Sequence, residues 1–117
     1  MRLLNAATKQ TLVPELEVAE NFFARLKGLL GRDGLRETQA LWIHRCNSIH
    51  TFFMRFAIDL IFVNRDLVVT KTVTNVRPGR LVFAGWNSAS VIELKAGFLD
   101  KNPVKVGDKL HVDSALS

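Results

Sequence analysis

Hydrophobic and polar positions along this chain change period more than once. Residues 11–18, TLVPELEV, alternate only in part and carry a proline, which has no backbone N–H for a sheet ladder. They predict an edge strand or an extended arm. Over 19–30, AENFFARLKGLL, the residues Ala19, Phe22, Phe23, Leu26, Leu29 and Leu30 recur at helical spacing, with Glu20, Arg25 and Lys27 on the other side. This predicts one short amphipathic N-terminal helix that Gly31 can stop. Gly28 inside it costs about 1 kcal/mol relative to alanine, which is consistent with a close approach to a sheet.

From residue 40 onward the pattern is that of strands. ALWIHRC and AIDLIFV are apolar runs, and LVVTKTVTNV is rich in β-branched residues. The last two flank Asn64-Arg65-Asp66 and predict a hairpin. RPGR at 77–80 predicts a turn, and LVFAG, SVIELKAG and KLHV predict three further strands. GFLDKNPVKVGD, between the last two, holds a turn or a single helical turn followed by a tight turn at VGD. The expected fold is mainly β, a barrel or sandwich with the short helix appended, in a single domain spanning 1–117. A parallel α/β sheet is not expected, because the segments between strands are too short for crossover helices.

Composition narrows this further. Apolar content of 48% suits a globular chain. Lys and Arg outnumber Asp and Glu 16 to 11, but the cations are scattered with no run of five, a pattern that favours solubility over a nucleic-acid footprint. Cys46 is the only cysteine, so no intramolecular disulfide can form. No apolar run is long enough for a signal peptide or a bilayer span, so a cytoplasmic location without membrane insertion is expected.

Residues 46–63, CNSIHTFFMRFAIDLIFV, place Cys46, His50, Met54, Arg55 and Asp59 within or beside an apolar run. His44, Cys46, His50 and Met54 are possible metal ligands, but their spacing matches no known zinc pattern. In one extended strand His44 and His50 lie roughly 20 Å apart, so only a turn at Asn47-Ser48 could bring Cys46 near His50. No metal and no cofactor are expected. For catalysis, His50 could act with Cys46, Asp59 or Glu93, either as a thiolate–imidazole pair or with the two carboxylates as acid and base. Thr51 and Ser48 supply hydroxyls beside His50, and Trp42 and Trp86 could line an apolar pocket, although core or rim packing is the favoured reading for both.

Asp59 and Glu93 also raise a structural question. Each sits in an apolar strand, and burying an unpaired carboxylate costs several kcal/mol. Arg55, Arg32 and Lys71 are candidate partners, but the helix residue Arg25 is favoured: it is expected to pair with Asp59 or Glu93 through its bidentate fork.

Four segments in order, RLKGLLGRDGL (25–35), IHTFFMRFAIDLIFVNRDLVV (49–69), VIELKAG (91–97) and VGDKL (106–110), resemble a family found mainly in bacteria and archaea, domain of unknown function 192. The resemblance covers roughly residues 10–113 and rests on such positions as Arg25, Gly28, Met54, Asp59, Glu93 and Gly107. It implies a small, mostly β domain and no defined activity. Only Arg55 to Ile58 separate Met54 from Asp59, a shorter segment than many members have. The favoured function is non-catalytic: a ligand-binding or accessory domain that holds a small molecule or peptide near His50, Met54, Asp59 and Glu93. A small hydrolase- or lyase-type enzyme and an electrostatic nucleic-acid binder are the alternatives.

Overall fold

The structure, a computed structural model, describes residues 1–20 and 33–114. The helix expected over 19–30 lies outside the described residues except for Ala19 and Glu20, and Ala19 ends a strand. Ten strands are described: β1 (Arg2–Asn5), β2 (Thr11–Val13), β3 (Glu15–Ala19), β4 (Gln39–Ile43), β5 (Ser48–His50), β6 (Ile58–Val63), β7 (Val69–Val76), β8 (Leu81–Phe83), β9 (Ser90–Lys95) and β10 (Leu110–Asp113). A single helical turn, α1 (Phe98–Lys101), follows β9. It begins at Gly97, whose φ of 93° is a conformation that suits glycine.

The strands form a five-stranded sheet in the order β3-β4-β9-β6-β7, a three-stranded sheet β10-β1-β2, and a two-stranded ribbon β5-β8. Among the described residues these sheets do not close into a barrel. Pro14 separates β2 from β3, and each of these strands lies at a sheet edge, where a missing N–H is tolerated. One pairing is parallel, although no crossover between parallel strands was expected. β3 and β4 run parallel, from Glu15 opposite Gln39 to Ala19 opposite Ile43. Residues 20–38 between them are long enough for a crossover, which needs a dozen residues or more.

Every residue of β6 is buried, as is every residue of β9 except Lys95. A continuous apolar run of this kind marks a strand covered on both faces. One face carries Ile61, Val63, Ile92 and Leu94, which pack with Leu3, Val13 and Leu110 of the three-stranded sheet and with Phe98 and Leu99 of α1. The opposite face carries Leu60, Phe62, Leu41 and Val91, packed with Ile49, Met54 and Leu35. Fully burying a side chain such as Phe62 stabilises the fold by about 1.5–3 kcal/mol.

The hairpin predicted at Asn64 joins β6 to β7. The Asn64 Oδ1 accepts the backbone N–H groups of Asp66 at 2.9 Å and Val68 at 3.0 Å. The VGD turn forms as well, with Asp108 Oδ2 accepting the Lys105 N–H at 2.9 Å.

Candidate functional site

Asp59 is fully buried, and among the described residues main-chain amides meet both of its carboxylate oxygens. Its Oδ1 accepts the Asn75 N–H at 2.8 Å and its Oδ2 accepts the Leu99 N–H at 2.9 Å. Asn75 lies in the bulge of β7, where the register between Ile58 and Leu60 shifts by one residue, and it has a φ of 51°. Leu99 lies in the first turn of α1, one of whose orphan donors Asp59 therefore satisfies. The carboxylate thus ties the bulge and the helical turn to the sheet. Arg55, a candidate partner, is exposed and pairs with Asp33 at 3.2 Å. Arg25 lies outside the described residues.

The register divides the expected site. Asp59 stands opposite Leu94, so it shares a face with Leu94 and Ile92. Glu93, also fully buried, stands opposite Leu60 and Leu41 on the other face. Met54 packs with Leu41 and Leu60 on that second side. The two carboxylates are therefore on opposite sides of the sheet, an arrangement in which they cannot act together as acid and base on one substrate. The Cys46 Sγ donates to the Ser48 carbonyl at 2.9 Å, whereas His50, at the far end of β5, stacks on Phe52 with ring centroids 5.0 Å apart. His44 turns to its own strand, its ring edge-on to Trp42 and its Nδ1 3.5 Å from Glu20 Oε2. Among the described residues no group of three or more His, Cys, Asp or Glu is placed to hold a metal ion.

The ribbon β5-β8 is where chemistry reaches the surface. Ile49 pairs with Val82, and Ile49 faces the core. The alternate positions face out, with His50 opposite Leu81 and Ser48 opposite Phe83. Leu81 is 72% exposed and Phe83 is 52% exposed. The ring of Phe83 meets Trp86 edge-to-face at 5.9 Å, and Trp86 is 91% exposed, which overturns its reading as core or rim packing. At the other end Phe53 also stands clear of the protein, with a φ of 67°. A bulky residue in this left-handed region carries about 1–3 kcal/mol of strain, of a kind that clusters at functional sites.

Thr51 fixes the turn that feeds β8. It is fully buried, its Oγ1 donates to the Arg77 carbonyl at 2.6 Å, and the same oxygen accepts the Arg80 N–H at 2.9 Å. Its backbone bonds the same turn twice more, through the Arg80 carbonyl and the Gly79 N–H. The turn predicted at RPGR is thereby locked to the residue that precedes Phe52 and Phe53.

Beside Trp86 lies an open cavity of about 620 Å³. Arg45, Cys46 and Asn47 line it from the β4–β5 connection, Asn64 to Asp66 from the β6–β7 hairpin, and Trp86 to Ala89 from the loop after β8. The backbone of that loop is held on both sides. Cys46 N–H donates to the Ala89 carbonyl, Ala84 N–H to the Asn47 carbonyl, and Ala89 N–H to the Val63 carbonyl. Of the residues singled out from sequence for chemistry, only Cys46 lines this cavity. The signal that could have pointed to it is the tryptophan in Gly85-Trp86-Asn87, an aromatic placed between turn-forming residues instead of in a strand.

A small, mainly β scaffold with a polar surface cavity is the class that this geometry defines. The chain belongs to the DUF192 family, described as "Uncharacterized ACR", whose model matches residues 3–112. It is 30% identical to UPF0127 protein PF1050 of Pyrococcus furiosus over 116 residues, covering 93% of this chain and 96% of that one. It is 33% identical to UPF0127 protein PYRAB11210 of Pyrococcus abyssi over 100 residues, covering 83% and 85%. These relatives are archaeal. In fold it is similar to a crystal structure of a protein of unknown function from Novosphingobium aromaticivorans, with a TM-score of 0.79 and 20% identity, covering 95% of this chain and 82% of that one. No helix among the described residues is long and apolar enough to cross a membrane.

Proposed function

We propose that this chain is a non-catalytic binding domain whose ligand combines an anionic group with a planar portion and sits in the cavity beside Trp86. The observation that carries this reading is the joining of two arginines, Arg45 and Arg65, to an exposed indole around one cavity. Among the described residues neither arginine forms a salt bridge, so both forks are available to a carboxylate or phosphate. Trp86 offers a ring face, and the side chains of Asn47, Asn64 and Asn87 offer both donors and acceptors. The placement of Asp59 and Glu93 on opposite faces, and the absence of histidine from the cavity lining, support a binding role over general acid–base chemistry.

Cys46 is a built-in reporter, because it is the only cysteine and it lines the cavity. Maleimide alkylation of the intact chain, followed by mass spectrometry, is expected to slow several-fold when adenosine monophosphate is added, and less with inorganic phosphate. Quenching of Trp86 fluorescence in a Trp42→Phe background gives an independent readout. Unchanged alkylation and fluorescence at about 10 mM adenosine monophosphate, ten times a Kd of 1 mM, would remove the cavity from consideration as a site for this class.

A further inference from the structure

The outward face of the ribbon is a line of rings and apolar side chains that the fold leaves largely exposed, with His50 half-buried within it. Trp86 touches Phe83, Phe83 is followed on the same face by Leu81, Leu81 is paired with His50, and His50 stacks on Phe52. Positive charge flanks this line at both ends. Arg45 and Arg65 border the cavity at the Trp86 end, and Arg77 and Arg80 sit on the turn locked by Thr51 at the Phe52 end. Neither Arg77 nor Arg80 forms a salt bridge among the described residues. Asp66 is the acid that lines the cavity.

We propose that this face binds single-stranded nucleic acid, with bases stacked along the line from Trp86 to Phe52 and phosphates held by the arginines at its ends. The proposal rests on the cavity reading and deepens it, since the cavity takes one nucleotide of the strand. Three features favour this occupant over an anionic membrane. The exposed line is mostly aromatic, with Leu81 its aliphatic member, and every base offers a π-face to a ring. The flanking cations are arginines, whose planar forks match phosphate bidentately. The line ends in a cavity whose asparagine amides can both donate to and accept from the edge of one base.

The test is fluorescence anisotropy of labelled oligothymidylate and oligouridylate, each of about twelve nucleotides and so within the usual site size of ~4–16, titrated with the full chain. Binding is expected with a slope of log K against log salt near −3, from about 0.7 per phosphate held by four arginines. Trp86→Ala and Phe83→Ala are each expected to weaken binding about tenfold. Joint replacement of Arg77 and Arg80 by glutamine weakens it and makes the slope shallower by about 1.4. Melting temperatures of all variants are measured alongside, so that loss of fold is not read as loss of contact. The tighter of the two oligomers identifies DNA or RNA as the natural source. Affinity unchanged by Trp86→Ala and Phe83→Ala overturns the proposal, as does equally tight binding of a duplex of the same length. Binding to phosphatidylglycerol vesicles without binding to either oligomer also overturns it and gives the face to a membrane. If neither oligomer binds at about 50 mM salt while adenosine monophosphate still protects Cys46, the strand is lost and the cavity stands. If both fail, both readings fall.

Discussion

Replacing Asp59 with asparagine is expected to lower the melting temperature by about 8–16 °C. The asparagine has nearly the same shape, but one of its two terminal atoms is an NH₂ that donates. It cannot accept from both the Asn75 N–H and the Leu99 N–H, so one amide meets a second donor. Hydrogen bonds to a charged group contribute about 1.5–3 kcal/mol, and an unmet buried donor costs about 1–3 kcal/mol, so a loss of about 2–4 kcal/mol is expected. With an unfolding entropy of about 2.1 cal/mol/K per residue, each kcal/mol moves the midpoint of a chain this long by about 4 °C. Hydrogen exchange at the Leu99 amide reports the same event locally and is expected to accelerate.

The control is Lys101→Ala. Lys101 also ties α1 down, through a 2.6 Å contact to Glu37, and this contact raises the Lys101 pKa and lowers that of Glu37. Both side chains are exposed, however, and exposed pairs are screened, so the melting temperature is expected to stay nearly unchanged. A melting temperature for Asp59→Asn equal to that of the parent would show that the carboxylate does not hold the bulge and the helical turn together.

The second large effect is expected at Thr51. Valine matches threonine in shape but removes Oγ1, which leaves the Arg77 carbonyl and the Arg80 N–H without that partner. Thr51 is fully buried, so water cannot readily take the place of the hydroxyl. The expected cost is about 1–2.5 kcal/mol, or about 4–10 °C. The loss is smaller than at Asp59 because the two backbone bonds from Thr51 to the same turn remain. Thr51→Ser keeps the oxygen and is expected to recover most of the stability. A valine variant as stable as the parent would mean that the main chain alone sets the turn.

The two variants also bear on how much of this protein was legible in its sequence. β6, β7 and β9 were readable because central strands write long apolar or β-branched runs, and the Asn64 and VGD turns were readable from their side chains. The parallel pairing of β3 with β4 was not anticipated, since it depends on what residues 20–38 allow and not on either strand. β1 and β5 were harder still. They are four and three residues long, and β5 finds its partner some thirty residues away.

The candidate site was less legible than the fold. Asp59 stood out as an acid in an apolar strand, and an arginine was expected beside it because arginines can be seen in a sequence. Arg25 lies outside the described residues, and the groups that meet Asp59 among those described are main-chain amides, present at almost every position and so invisible as a signal. Phe83 was hidden for another reason. Its strand was readable, but the face it occupies is visible only once the register with β5 is known.

The central claim is that binding belongs to the cavity beside Trp86, whereas Asp59 is scaffold. Amide chemical-shift mapping of the ¹⁵N-labelled chain, titrated with adenosine monophosphate, tests it most directly. The account predicts the largest shifts at Arg45 to Asn47, Asn64 to Asp66 and Trp86 to Ala89, with Asp59 and Leu99 nearly still. Shifts centred on α1 and β10, or no shifts at about 10 mM nucleotide, would contradict it.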